Sequence, residues 1–177
     1  LTAHVGNWQA ALSSLDRLPV TVHALMQYDR EAAAKHFFDL RKGRRVFEII
    51  DSEGPFGGMV DAAAALMRGE VVTIMGDRYV KGSFSRASFF GESVRLPDSA
   101  YLLAANTGAP IVVLLAAKTG RTRYQLKVWD YFYPVYEQRD KRKKMLEECA
   151  GRFAGSLENY LKQYPFQWYN FYNFWEQ

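Results

Sequence analysis

The chain carries one cysteine, Cys149, in 177 residues. No intramolecular disulfide can form, and a reducing compartment fits. Histidine is scarce too, with three copies, and no Cys/His cluster has metal-ligand spacing. No Gly-x-Ser-x-Gly elbow occurs, which counts against a covalent serine mechanism. Gly54, Gly57 and Gly58 match neither the P-loop nor the dinucleotide fingerprint, so that stretch reads as a turn and helix start. No stretch reaches about 18 uninterrupted apolar residues, which excludes a spanning helix within this chain. A signal-peptide pattern, internal repeats and low-complexity tracts are also missing.

What remains is rich in core-forming residues. Hydrophobic residues make up 49% and aromatics 15%, which argues against disorder and for one domain over residues 1–177. The formal net charge of +4 favours anionic partners: phosphate groups, acidic carrier proteins or an anionic membrane. The basic residues are scattered and match no nucleic-acid-binding module, so nucleic acid is not an expected partner.

Strand and helix patterns alternate along the first half. Val20–Met26, Val46–Ile50 and Val71–Met75 read as strands, the last buried on both faces. Helices are expected from about Trp8, from Asp29 to about Lys42, and from the Gly54–Gly58 turn to Arg68, with Met59, Ala62, Ala63, Leu66 and Met67 inward. This alternation predicts an α/β fold with a mostly parallel, mixed central sheet covered by helices on both faces. Gly76–Arg86 reads as a long polar loop. A helix through Asn106, a hairpin of Ile111–Ala116 with Tyr124–Trp129, and a last helix from about Lys141 to Gln163 follow. Leu146, Cys149, Phe153, Leu157, Tyr160 and Leu161 mark the buried side of that helix.

The informative stretch is at the start, Thr2-Ala3-His4-Val5-Gly6-Asn7-Trp8-Gln9. A short apolar segment meets a glycine turn and then a helical pattern, with Asn7 suited to an N-cap. In one helix, His4 and Gln9 would lie about 140° apart. They converge only if His4 sits in the turn, at the end of a sheet, where α/β proteins place their chemistry.

His-Val-Gly-Asn-Trp-Gln resembles the His-x4-acid motif of the lysophospholipid acyltransferase superfamily. It is most similar to the branch of lipid A late acyltransferases, where His-Phe-Gly-Asn-Trp-Glu is typical. Val72-Thr73-Ile74-Met75-Gly76-Asp77, Phe89-Phe90-Gly91 followed by Thr107-Gly108-Ala109-Pro110, and Pro165-Phe166-Gln167-Trp168 resemble further motifs of that family, in the same order.

The resemblance implies a glycerol-3-phosphate acyltransferase-like fold. It also implies transfer of a fatty acyl group from acyl-carrier protein or acyl-CoA to a hydroxyl or amine of a lipid or glycolipid. His4 would be the general base and no cofactor would be needed. It places the protein on the cytoplasmic face of the inner membrane. Family members usually carry a membrane helix ahead of the histidine motif, so the sequence reads as a piece of a longer protein.

One position departs from the pattern: the acid is replaced by Gln9. An amide can accept a hydrogen bond but offers no charge. Three readings stay open: a tolerated variant assisted by another carboxylate, an engineered change, or a catalytically inactive lipid- or carrier-binding module. A thioesterase is a further alternative. Asp77, at the end of a strand, is the candidate assisting acid. Gly6, Asn7 and Trp8 are candidates for substrate contact, and backbone N–H groups near Gly6 and Asn7 for the oxyanion. Arg30, Arg78 and Arg86, with Lys81 and Arg95, are candidates for an anion site or for solvated surface charge. Lys141–Lys144 is a cationic run at a helix start, against the helix dipole. Seven aromatics between Phe166 and Trp175 suit an acyl groove, a membrane interface or packing on the core. His23 and His36 read as structural.

Overall fold

A computed structural model describes residues 1–7, 15, 18–27, 47–171 and 173–175. The helices expected from Trp8 and from Asp29 lie outside the described residues. So do Trp8, Gln9, Arg30 and His36. The content is mixed α/β, and the chain divides into two compact units: Leu12–Ile74, and Leu1–Ala11 with Met75–Gln177.

The first of these holds a parallel sheet of three strands, in the order β2-β1-β3: β1 (Val22–Met26), β2 (Glu48–Asp51) and β3 (Val71–Ile74). His23 faces Glu48 on one side and Val72 on the other. Helix α1 (Met59–Met67) packs against β3 and β1. A tight turn precedes it, in which Gly58 has φ +69° and a Cβ would fall 2.6 Å from the Ile50 side chain. The inward face of α1 is narrower than expected. Ala62 and Ala65 are buried, while Met67 is exposed. At 100° per residue, Met67 lies well off the stripe those two alanines define. β3, expected to be buried on both faces, is half-buried throughout, because it is an outer strand of this sheet.

In the other unit, β4 (Phe84–Phe89) and β5 (Glu92–Pro97) form an antiparallel pair, as do β6 (Ile111–Lys118) and β7 (Tyr124–Phe132). The polar loop after β3 is therefore shorter than its sequence suggests, ending where β4 begins. β4 alternates, with Ser85, Ala87 and Phe89 buried and Arg86 and Ser88 exposed. Phe90 and Gly91 join the strands with φ of 50° and 89°, as a two-residue primed hairpin turn requires. Phenylalanine seldom takes a positive φ, so the residues carry little sign of this hairpin.

Helix α2 (Ser99–Thr107) ends on Gly108 in the left-handed region, and helix α3 (Arg142–Gln163) packs on β4, β6 and β7. Leu146, Cys149, Phe153, Leu157, Tyr160 and Leu161 all face the core, where Phe89, Leu96, Tyr101 and Leu115 meet them. Arg152 clamps this helix to β7 through two bonds to Asp130, at 2.7 and 2.6 Å.

Residues 1–5 complete the same unit. The Leu114 N–H bonds to the Leu1 carbonyl at 2.9 Å, and the Gly76 N–H to the Thr2 carbonyl at 2.9 Å. Thr2 pairs in parallel with Met75. The segment thus lies between the chain leaving β3 and strand β6. Gly6 then turns away with φ +53°, so close to β6 that a Cβ would fall on the Ala116 carbonyl. Gly6→Ala combines a left-handed backbone with a backbone clash. It should cost more than about 2 kcal/mol in urea unfolding. A loss below half of that would show that the turn can relax.

Candidate active site

His4 leaves the sheet for a simple backbone reason. The Val5 N–H bonds to the Ala3 carbonyl at 2.7 Å, which closes a γ-turn with His4 at its centre. The segment 167–169 flanks this turn. Val5 bridges to Trp168, the Tyr169 N–H donates to the His4 carbonyl at 2.7 Å, and the Gly6 N–H donates to the Gln167 carbonyl at 2.7 Å. The Gln167 side chain bonds both backbone groups of Lys118, at 2.7 and 2.9 Å, and so ties this strap to the end of β6.

Asp77 is the residue on which these pieces meet. It has no exposed surface. Its Oδ1 lies 2.9 Å from His4 Nδ1. Its Oδ2 accepts the His4 backbone N–H at 3.0 Å and the Trp168 indole N–H at 2.9 Å. Burial pushes the Asp77 carboxyl up. The bond and charge of the His4 ring, the Trp168 indole and the His4 N–H outweigh burial and hold it below the usual carboxylate range.

An ionised carboxylate only accepts hydrogen bonds, so Nδ1 of His4 carries a proton. In the neutral ring Nε2 then keeps its lone pair. The His4 side chain is one-quarter exposed, so this nitrogen belongs to a ring that solvent can reach. A histidine oriented this way can take a proton from an incoming hydroxyl, and a buried carboxylate can stabilise the imidazolium that results.

The sequence-derived candidates separate into three groups. The structure brings His4, Gly6, Asp77 and Arg78 together around the strap 167–169, Arg78 by donating to the Tyr169 carbonyl at 2.8 Å, and Asn7 follows Gly6 in the chain. Trp8, Gln9 and Arg30 lie outside the described residues. Arg86 is exposed on β4, with its guanidinium 5.9 Å from the Phe84 ring, and Arg95 lies over the same ring at 4.7 Å. Phe84 is at the end of β4 opposite Phe89, the residue that packs on Trp168, so neither arginine joins His4. The Gly6 N–H is committed to Gln167 and has no proton to offer an oxyanion.

The sequence reading left Trp168 out of the site. Its signal was the Pro-x-x-Trp motif, which gave the residue but not its bond to Asp77. His23 is structural: it is buried in β1 with Nε2 2.8 Å from Glu70. The Arg68 and His23 side chains hold the Glu70 carboxyl down at about 2. Cys149 is no nucleophile, because burial pushes its thiol up to about 11.

The class this fold and site define is an α/β protein presenting a carboxylate-backed histidine at the end of a strand. The family model for bacterial lipid A biosynthesis acyltransferases matches residues 1–177, and the chain belongs to that family. Acyl transfer to a lipid acceptor is the class of reaction this membership brings. No curated protein matches the chain.

Removing the indole donor leaves a buried carboxylate one bond short. Trp168→Phe should lower stability at neutral pH by about 1–3 kcal/mol. Asp77 has a folded value below its unfolded one, near 3.9. Its contribution is therefore fully present above that pH and is lost as pH falls through the folded value. In Trp168→Phe the folded value rises, so the loss should be smaller and complete at a higher pH. Urea unfolding at neutral and acidic pH measures both, and identical curves for the two proteins would remove Trp168 from the network.

Proposed function

We propose that the chain transfers a fatty acyl group from an acyl-carrier-protein or CoA thioester to a hydroxyl, or an amine, of a lipid or glycolipid acceptor. The observation that carries this reading is the His4–Asp77 pair. Nε2 of His4 takes the hydroxyl proton as the acceptor oxygen attacks the thioester carbonyl. Asp77 holds the ring in the tautomer this needs and stabilises the imidazolium. The tetrahedral intermediate then expels the thiolate, and the proton passes from Nε2 to its sulfur. Neither a covalent acyl-enzyme nor a cofactor enters. The mixed α/β content fits the glycerol-3-phosphate acyltransferase-like fold that the family resemblance implies.

Asp77 also bears on Gln9. The partner that the motif's missing acid would supply to the imidazole is present as a carboxylate at Nδ1. This supports reading Gln9 as a tolerated variant rather than as the mark of an inactive binding module.

In an acyl-transfer assay with acyl-carrier-protein and acyl-CoA donors, His4→Ala should abolish turnover. Asp77→Asn should reduce it by about 10³–10⁴-fold, as loss of the carboxylate does in the serine-protease triad. Gln9→Glu should preserve or raise it. Donor binding without His4-dependent turnover would establish the binding module instead, and donor hydrolysis that needs no acceptor would establish a thioesterase.

The acceptor lies in a membrane, and the strap after α3 is suited to meet one. Among described residues no helix is long and apolar enough to cross a membrane. Trp168 and Phe174 anchor the strap against Phe89, with ring centroids 5.5 and 5.3 Å away. Phe166 and Phe171 point outward, 93% and 88% exposed. Aromatics alternating between anchor and solvent, on a chain of net charge +4, suit an anionic bilayer interface at the cytoplasmic face. Vesicles containing phosphatidylglycerol should co-sediment the protein. Phe166→Ser with Phe171→Ser should release most of it, and unchanged sedimentation of that variant would assign membrane contact elsewhere.

A further inference from the structure

We propose that a cavity at the N-terminal ends of α2 and α3 binds a phosphate ester that also carries a hydrogen-bond donor. The cavity measures about 530 Å³, within the range of small-molecule sites. It lies between the start of β4, the cap of α2 and the first turn of α3. Its place sets it apart from the His4 site. Phe84 borders the cavity, and Phe89, at the other end of β4, packs on Trp168. They are five residue steps apart along the strand, a distance of roughly 16 Å. The proposal does not rest on the acyl-transfer reading.

Charge and backbone polarity point to an anion. Arg86, Arg139 and Arg142 line the cavity, and among the described residues none of them has a carboxylate within 4 Å. Lys143 also lines it and is 3.8 Å from Glu147. These cations gather where α3 begins, against the helix dipole, a cost that a bound anion would offset. The lining takes in the N-cap of α2 and the first turn of α3, where the helix dipole favours negative charge. Arginine forks and helix N-termini together favour a phosphate group.

Asp98 narrows the ligand further. It occupies the N-cap of α2 but makes no capping bond there. It is 3% exposed, and its Oδ1 has no hydrogen-bond partner. An N-cap aspartate ordinarily accepts an N–H of its own helix. Here Asp98 lines the cavity instead, with Asp140 and Glu147 as further acids in the lining. A bare anion would leave Asp98 Oδ1 without a partner. A ligand placing a hydroxyl, amide or ammonium beside its phosphate would satisfy the arginines and Asp98 together. Amino-sugar and polyol phosphates have this chemistry, and so does a carrier arm with a phosphodiester and a hydroxyl.

Calorimetric titration of the 177-residue chain at low ionic strength tests this, with inorganic phosphate, glucosamine 1-phosphate and coenzyme A as probes. At least one ester should bind more tightly than inorganic phosphate. Arg142→Gln, an exposed change, should weaken that ester roughly tenfold. Asp98→Ala removes no capping bond. It should weaken the ester while leaving inorganic phosphate unaffected or tighter. Preference for the sugar phosphate identifies a headgroup site, and preference for coenzyme A a carrier-arm site. The proposal is overturned if neither ester exceeds inorganic phosphate, if Arg142→Gln binds like the parent, or if Asp98→Ala leaves ester affinity unaltered.

Discussion

A carboxylate with no exposed surface must be given hydrogen bonds or lose its charge. Asp77 keeps its charge because donors reach it from two distant parts of the chain. The ring and backbone N–H of His4 are 73 residues away, and the indole of Trp168 is 91 residues away. None of these donors can be displaced without stranding a buried charge. The interaction that fixes the tautomer of His4 is therefore also one that joins the segment 1–5, the chain at Asp77 and the strap after α3. Stability and chemistry draw on the same three bonds. This explains why the site needs so few polar residues in a chain so rich in apolar ones.

Much of this was legible in the residues before any coordinates. The glycine turn after His4 and the aspartate ending an apolar strand read correctly, because strand ends and tight turns leave local marks. The long helix α3 read correctly for a similar reason. A stripe repeated over 22 residues leaves little room for another period. What could not be read were contacts between segments far apart in the chain and a turn that lacks the usual turn residues. Trp168 stood in a recognisable motif, but its bond to Asp77 depends on the strap folding back beside Val5. The hairpin of β4 and β5 was hidden because its turn uses Phe90-Gly91 rather than a residue that takes positive φ readily. Met67 misled because its apolarity says nothing of its angle around α1.

The turn at Gly6 shows how backbone constraint orients a side chain. The N–H of Gly6 and the carbonyl of His4 are both bonded to the strap, and the Cα of Gly6 lies against the Ala116 carbonyl. The peptide around His4 cannot rotate without breaking one of these contacts. The γ-turn therefore presents the ring in one direction, and Asp77 selects which nitrogen remains outside. Backbone geometry sets where the ring points, and the carboxylate sets which nitrogen carries the proton.

Gln9 is then best understood through the difference between orienting a base and charging it. A motif acid five residues after the histidine would do both. In this chain Asp77, which has no exposed surface, supplies a carboxylate at Nδ1 of His4. A second carboxylate beside the same ring would raise the proton affinity of Nε2 and would also repel the first. On the proposed reading, the carboxylate that serves the histidine is Asp77 rather than one at position 9.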